Sequence, residues 1–186
     1  MTPAPPEVWR VVFGIDRPVE IEIGPGRGDV LLAFAEQAPA VSFYGIEIGR
    51  SQVDTITERA RRGGLTNVRV VAGDARCILR HLIPDRSVSA YHVYFPDPWP
   101  KRRHHHRRLF QAGVARAMAR TLVPSGRVHV ASDLAWLFDD MCRALEAAGF
   151  TIDETANLRA RPVTRFERKY AGAGTYGRTY TPPPPD

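Results

Sequence analysis

Apolar residues along this chain recur with two periods, that of strands and that of helices, and the two alternate. Val19–Ile23 reads as a strand, and glycine-rich Gly24–Gly28 follows it. Asp29–Gln37 carries Val30, Leu31 and Phe34 at helical spacing. Val41–Ile48 is β-branched and aromatic and predicts a second strand. Gln52–Arg62 predicts a helix stopped by Gly63 and Gly64. Val68–Ala72 and Ser89–Phe95 predict strands three and four, and Arg107–Thr121 predicts a helix. Pro124, Ser125 and Gly126 then predict a turn into a fifth strand, Arg127–Ser132. Leu134, Leu137, Phe138, Met141, Leu145 and Ala148 mark one face of a helix ending at Gly149. The stretch from Phe150 to Tyr180 fits two further strands around a basic loop. Strands alternating with helices predict an α/β fold on a mostly parallel, seven-stranded sheet. No internal repeat or linker divides it, so residues 9–180 form one domain. Residues 1–8 are expected to be loose, and the proline-rich segment 181–186 to be extended and disordered.

Ligands of such sheets bind beyond the carboxyl ends of the strands. After strand one the chain reads Glu22-Ile23-Gly24-Pro25-Gly26-Arg27-Gly28. Glycines here permit a tight turn and close backbone approach to a ligand, or simply a short strand–helix connection. The spacing departs from the dinucleotide fingerprint, because Asp29 stands where a glycine is needed. Glu47 ends strand two and Asp74 follows strand three. Glu47 is placed to accept from two ribose hydroxyls, Asp74 from an adenine amino group, and Glu22 from an ammonium group. Each acid taken alone also fits a helix cap or a solvated loop. Together with the glycine turn they suit a cationic ligand better than a pyrophosphate.

The charge balance adds a partner. The 186 residues carry a net charge of +6. Lys101–Arg108 and Arg159–Lys169 together carry a net +9, so the remainder is net negative. Basicity this local predicts a phosphate-contacting surface, against the plainer reading of two solvated loops. No apolar run approaches the ~20 residues of a membrane span. The first residues lack a charged-then-apolar signal pattern. Two cysteines without metal spacing, Cys77 and Cys142, fit free thiols in a cytoplasmic protein. His104, His105 and His106 are adjacent, and neighbours do not easily converge on one ion. They are expected to act as extra cations or hydrogen-bond donors, with no metal bound.

The most informative stretch is Phe95-Pro96-Asp97-Pro98-Trp99-Pro100-Lys101-Arg102-Arg103-His104-His105-His106-Arg107-Arg108-Leu109. Prolines on both sides hold Asp97 on a stiff loop at the end of strand four. Cations follow at once beside Trp99, a combination suited to reading a base and gripping its phosphates. This stretch resembles the signature of the bacterial TrmB family of tRNA (guanine-N7-)-methyltransferases. Phe13-Gly14 and the Glu22–Asp29 loop, Ala131-Ser132-Asp133, and Arg161-Pro162-Val163-Thr164-Arg165-Phe166-Glu167 are similar to further family segments. The resemblance runs from about Trp9 to Tyr180.

That resemblance implies a Rossmann-like class I methyltransferase with helices on both faces of the sheet. It implies S-adenosyl-L-methionine as methyl donor and N7 of a guanine in tRNA as acceptor, with guanine 46 of the variable loop as the family's position. Glu22, Gly24, Gly26, Gly28, Glu47, Asp74, Ala75 and Asp97 fall on cofactor positions, and Asp97 also on the reaction centre. Lys101, Asp133, Thr164, Arg165, Phe166 and Glu167 fall on substrate positions. Arg102, Arg103, His104, His105, His106, Arg107 and Arg108 fall on the RNA-binding stretch. The protein is expected to be a monomer or homodimer that binds no membrane. The family's basic N-terminal extension is nearly absent here, and Glu20 places an unexplained charge inside strand one. Three rivals stay open: a small-molecule methyltransferase, a non-catalytic RNA-binding module, and, least favoured, a nicotinamide dehydrogenase.

Overall fold

A computed structural model describes residues 7–156 and 174–184. Seven strands form one sheet in the order β3-β2-β1-β4-β5-β7-β6. They are β1 Val19–Ile23, β2 Ser42–Glu47, β3 Val68–Ala72, β4 Val88–Tyr94, β5 Leu122–Ser132, β6 Thr151–Ile152 and β7 Tyr176–Thr181. β1 to β5 pair in parallel, while β7 runs antiparallel to β5 and β6. The order reverses between β1 and β4, which opens a crevice at their carboxyl ends.

Among the described residues, six α-helices cover the sheet: α1 Glu7–Phe13, α2 Asp29–Gln37, α3 Arg50–Arg62, α4 Ala75–His81, α5 Ala112–Thr121 and α6 Ala135–Glu146. Alternation along each strand sends apolar side chains to both faces, as a doubly covered parallel sheet requires. Phe43, Val68, Ile56 and Phe34 build one core with α2 and α3. Tyr91, Val93, Met118, Leu79 and Met141 build the other with α4, α5 and α6. Trp9 and Phe13 of α1 join that second core, stacking edge-on against Tyr44.

Several elements differ from the sequence pattern. The helix expected to start at Arg107 starts at Ala112, and Arg102–Arg107 forms a separate 3-10 turn. Pro98 and Pro100 and a run of cations give that segment no apolar stripe to bury, so it stops short of joining α5. The Pro124–Gly126 turn lies inside β5. Val88 pairs with Leu122 and Ala90 with Arg127, so residues 123–126 loop out of the ladder. The short helices α1 and α4 have too few turns to show a period in sequence. The ends are more regular than their composition suggests: α1 begins at Glu7, and β7 reaches Thr181, whose hydroxyl meets that of Thr151 at 2.7 Å.

Glu20 has a partner that strand order supplies. Its carboxylate meets His92 Nε2 at 2.8 Å, and His92 Nδ1 meets the Tyr94 hydroxyl at 2.9 Å. His92 stacks on His129, which reaches Thr179 Oγ1 at 3.0 Å. A polar row, buried except at half-buried Glu20, thus crosses four strands beneath α2, where Phe34 packs on His92.

Candidate active site

The loop after β1 turns through three left-handed glycines, Gly24, Gly26 and Gly28. Their roles divide. A Cβ at Gly24 or Gly26 would meet nothing within 4 Å, so the bare backbone faces open space. A Cβ at Gly28 would lie 2.9 Å from Ile56, so this glycine serves the packing of α2 on α3. The Gly24 amide donates to the Ile46 carbonyl at 2.9 Å, tying the turn to β2.

Glu47 clamps the same loop. Its two carboxylate oxygens accept from the amides of Gly26 at 2.9 Å and Gly49 at 3.0 Å. Glu22 is buried beside it, at the carboxyl end of β1. Asp74 caps α4 by accepting from the Arg76 amide at 2.9 Å, and its carboxylate also receives the Arg76 guanidinium. Those Arg76 bonds hold the Asp74 carboxyl below the usual carboxylate range. Arg76 reaches further, donating to the His106 carbonyl of the 3-10 turn, which Gln111 also contacts at 2.6 Å.

The Phe95–Trp99 loop is bracketed by two strained residues. Phe95 and Trp99, each preceding a proline, have φ of +51° and +41°. A left-handed aromatic residue costs about 1–3 kcal/mol. Packing sustains both. The Phe95 amide donates to the Ala131 carbonyl at 2.9 Å, and Arg107 lies over the Trp99 ring at 4.8 Å. Asp97 projects exposed between them.

These parts enclose one cleft of about 1020 Å³. Glu22, Gly24, Gly26, Glu47, Asp74, Ala75 and Asp97 line it. His106 and Arg107 of the 3-10 turn line it as well. Gly28, Lys101, Arg102, Arg103, His104, His105, Arg108 and Asp133 do not. Ile48, Trp99 and Arg76 line the cleft as well, although no sequence motif marks them as cofactor residues. Ile48 is 77% exposed beside buried Glu47, a mismatch of hydrophobicity and exposure that no sequence pattern announces.

The expected RNA-facing run is not uniform. Lys101, Arg102, Arg103, His105 and His106 are exposed. His104 meets the edge of Trp99. Arg108 is turned inward, where it donates to Asp140 at 2.9 Å and to the Pro98 carbonyl at 3.1 Å, and lies over Trp136. Its guanidinium fastens the signature loop to α6 and is mostly withdrawn from solvent. Asp133 stands half-buried after β5. Thr164, Arg165, Phe166 and Glu167 lie outside the described residues. No group of three or more His, Cys, Asp or Glu among the described residues is arranged to hold a metal ion. No helix among them is long and apolar enough to cross a membrane.

Residues 16–176 match a protein family described as putative methyltransferases. A tRNA (guanine-N(7)-)-methyltransferase of Vibrio parahaemolyticus is 38% identical over 168 residues, covering 87% of this chain and 70% of that protein. One of Nitrosomonas eutropha is 33% identical, covering 85% and 72%. Among solved structures, the 16S rRNA methyltransferase KamB superposes with a TM-score of 0.70 at 20% identity, covering 96% of this chain and 94% of that one. An S-adenosylmethionine-dependent methyltransferase from Aquifex aeolicus superposes at 0.62 and 16% identity, covering 94% and 88%. At those identities the likeness speaks for the fold.

Proposed function

Because the chain belongs to the tRNA (guanine-N7-)-methyltransferase family, we propose that it methylates N7 of a guanine in tRNA, using S-adenosyl-L-methionine. The observation that carries this reading is one shared cleft. The acids at the ends of β1, β2 and β3 line it together with Asp97 and with His106 and Arg107 of the cationic turn. A small-molecule enzyme has no need of that turn, and a bare RNA-binding module has no need of the acids.

The donor fits the residues present. The glycine loop leaves backbone open at Gly24 and Gly26. Glu22 suits the methionine ammonium group, Glu47 the ribose hydroxyls and Asp74 the adenine amino group, while Ala75 closes the wall beside it. When bound, the donor would supply an electrophilic methyl on a sulfonium; guanine N7 would bond to that methyl as its bond to sulfur breaks, giving 7-methylguanosine and leaving S-adenosylhomocysteine as the thioether. N7 has an in-plane lone pair and no proton, so the protein need not supply a general base. Its residues position the base and shape the field. The volume lies at the upper end of small-molecule clefts, room for a donor and an inserted base.

Asp97, on its strained loop, holds the base in register. Asp133 and Glu167 accept from the guanine N1–H and N2 amino edge, and Lys101 and the Thr164–Phe166 segment support the nucleotide. Adenine lacks those two donors and would leave acceptors unpaired. Arg102, Arg103, His104–His106 and Arg107 hold phosphates. The site of modification is guanine 46 of the variable loop, and the compartment is the cytoplasm.

The test is methylation of unmodified tRNA with labelled donor, followed by nucleoside mapping for 7-methylguanosine. Asp97→Ala is expected to lower kcat by about 100-fold or more while melting as the wild type does. Label on another atom, or near-normal turnover of the variant, would refute the assignment.

A further inference from the structure

We infer that a groove between α4 and α5 is a second RNA-backbone site, which takes phosphates of the same tRNA beyond the nucleotide held in the cleft. The inference rests on the tRNA reading above.

The groove has a volume of about 310 Å³ and is lined by Asp74, Arg76, Cys77, Arg80, His81, Gln111, Gly113 and Val114. It shares Asp74 and Arg76 with the catalytic cleft, so the two are neighbours across one ion pair. Its charge is unlike that of the other helices. α1, α2, α3 and α6 each carry at least one acid, whereas α4 carries Arg76, Arg80 and His81 and α5 carries Arg116 and Arg120, with no acid in either.

The cations are not equivalent. Arg76 is committed to Asp74 and the His106 carbonyl. Arg120 is committed to Asp85 and to the carbonyls of Leu79, Arg80 and Ile83, which fixes the end of α4. Arg80 is exposed and makes no ion pair among the described residues. Its guanidinium lies across α5 at Gly113, 2.8 Å from where a Cβ would stand. His81 adds an exposed imidazole, and Arg116 stands one turn further along α5.

The path to the groove is continuous. Arg76 from α4 and Gln111 from the start of α5 both donate to the His106 carbonyl, so the 3-10 turn leads directly onto the groove. A strand gripped by Arg102, Arg103 and Arg107 therefore meets Arg80 and His81 next. An unpaired guanidinium with an imidazole donor beside it suits a phosphodiester, which Arg80 and His81 would hold by charge and hydrogen bond without base preference.

The experiment measures tRNA binding as a function of salt, and S-adenosylhomocysteine binding, for the wild type, the double variant Arg80→Ala/His81→Ala, and Gly113→Glu. The double variant is expected to weaken tRNA binding roughly three- to tenfold at ~0.1 M salt and to flatten the log–log salt slope by about one unit. Gly113→Glu, which sets a carboxylate beside Arg80, is expected to act in the same direction. Affinity for S-adenosylhomocysteine is expected to stay as in the wild type for both. Wild-type tRNA affinity and slope in folded variants overturn the groove while leaving the activity intact. If the double variant does not fold, Gly113→Glu decides. A wild type that methylates no tRNA overturns the reading beneath both.

Discussion

Arg103 and Arg108 stand in one cationic run and do different work. Arg103 is exposed. Arg108 has a side chain only 17% exposed, bonded to Asp140 and to the Pro98 carbonyl. Charge-assisted hydrogen bonds in such a setting contribute about 1.5–3 kcal/mol each when one partner is removed. Arg108→Ala is therefore expected to lower unfolding stability by about 1–3 kcal/mol, read by denaturant titration. Arg103→Ala is expected to leave stability unchanged within about 0.5 kcal/mol. Its effect belongs in tRNA affinity. A stability loss in Arg103→Ala, with none in Arg108→Ala, would reverse these assignments.

Helix α4 joins the two halves of the site as an element. Asp74 caps its start, and Arg76 in its first turn holds both the Asp74 carboxylate and the His106 carbonyl. The Asp74 carboxyl is depressed because Arg76 bonds to its charged form. A depressed acid contributes stability that is present above its unfolded pKa, about 3.9, and is lost as pH falls through the lower folded value. Binding of S-adenosylhomocysteine that depends on ionised Asp74 should thus persist below pH ~4 as long as the fold does. In Arg76→Ala the acid limb should move up toward the ordinary carboxylate range. Binding followed by calorimetry across the acid range checks this, and an unmoved limb would uncouple Arg76 from Asp74. The same variant should weaken tRNA binding, since it releases one of the two side-chain hydrogen bonds to the His106 carbonyl of the 3-10 turn.

At the scale of the whole molecule, charge is segregated. The net +6 comes from local stretches, while α3 and α6 carry both signs and α2 carries only acids. Affinity for a polyanion held this way falls with salt in proportion to the phosphates neutralised. Binding of tRNA is expected to drop at least tenfold between ~0.05 and ~0.2 M salt. Replacing Arg102, Arg103 and Arg107 together by Ala should flatten that dependence by about two to three units of log–log slope. Equal affinity at both salt concentrations would remove the basic turn as the phosphate grip.

The chain's order of strands and helices, its glycine turn, the acids after three successive strands and the proline-held Asp97 were all legible in one dimension. Each is a local pattern: a period, a turn chemistry, or a position relative to the end of a strand. Contacts between distant segments were not. Glu20 looked like a stray charge because His92, its partner, lies 72 residues away and meets it only once β4 pairs with β1. Arg107 and Arg108 are neighbours in sequence. Yet one lines the cleft and the other is bound to α6, because the 3-10 turn sends adjacent side chains in different directions. Gly28 belonged to a glycine motif, but what it meets is Ile56. The groove between α4 and α5 exists only because their sparse cations are brought to one edge. Periodicity records which side of an element is buried, and only the packed chain decides what that side, or its charge, comes to face.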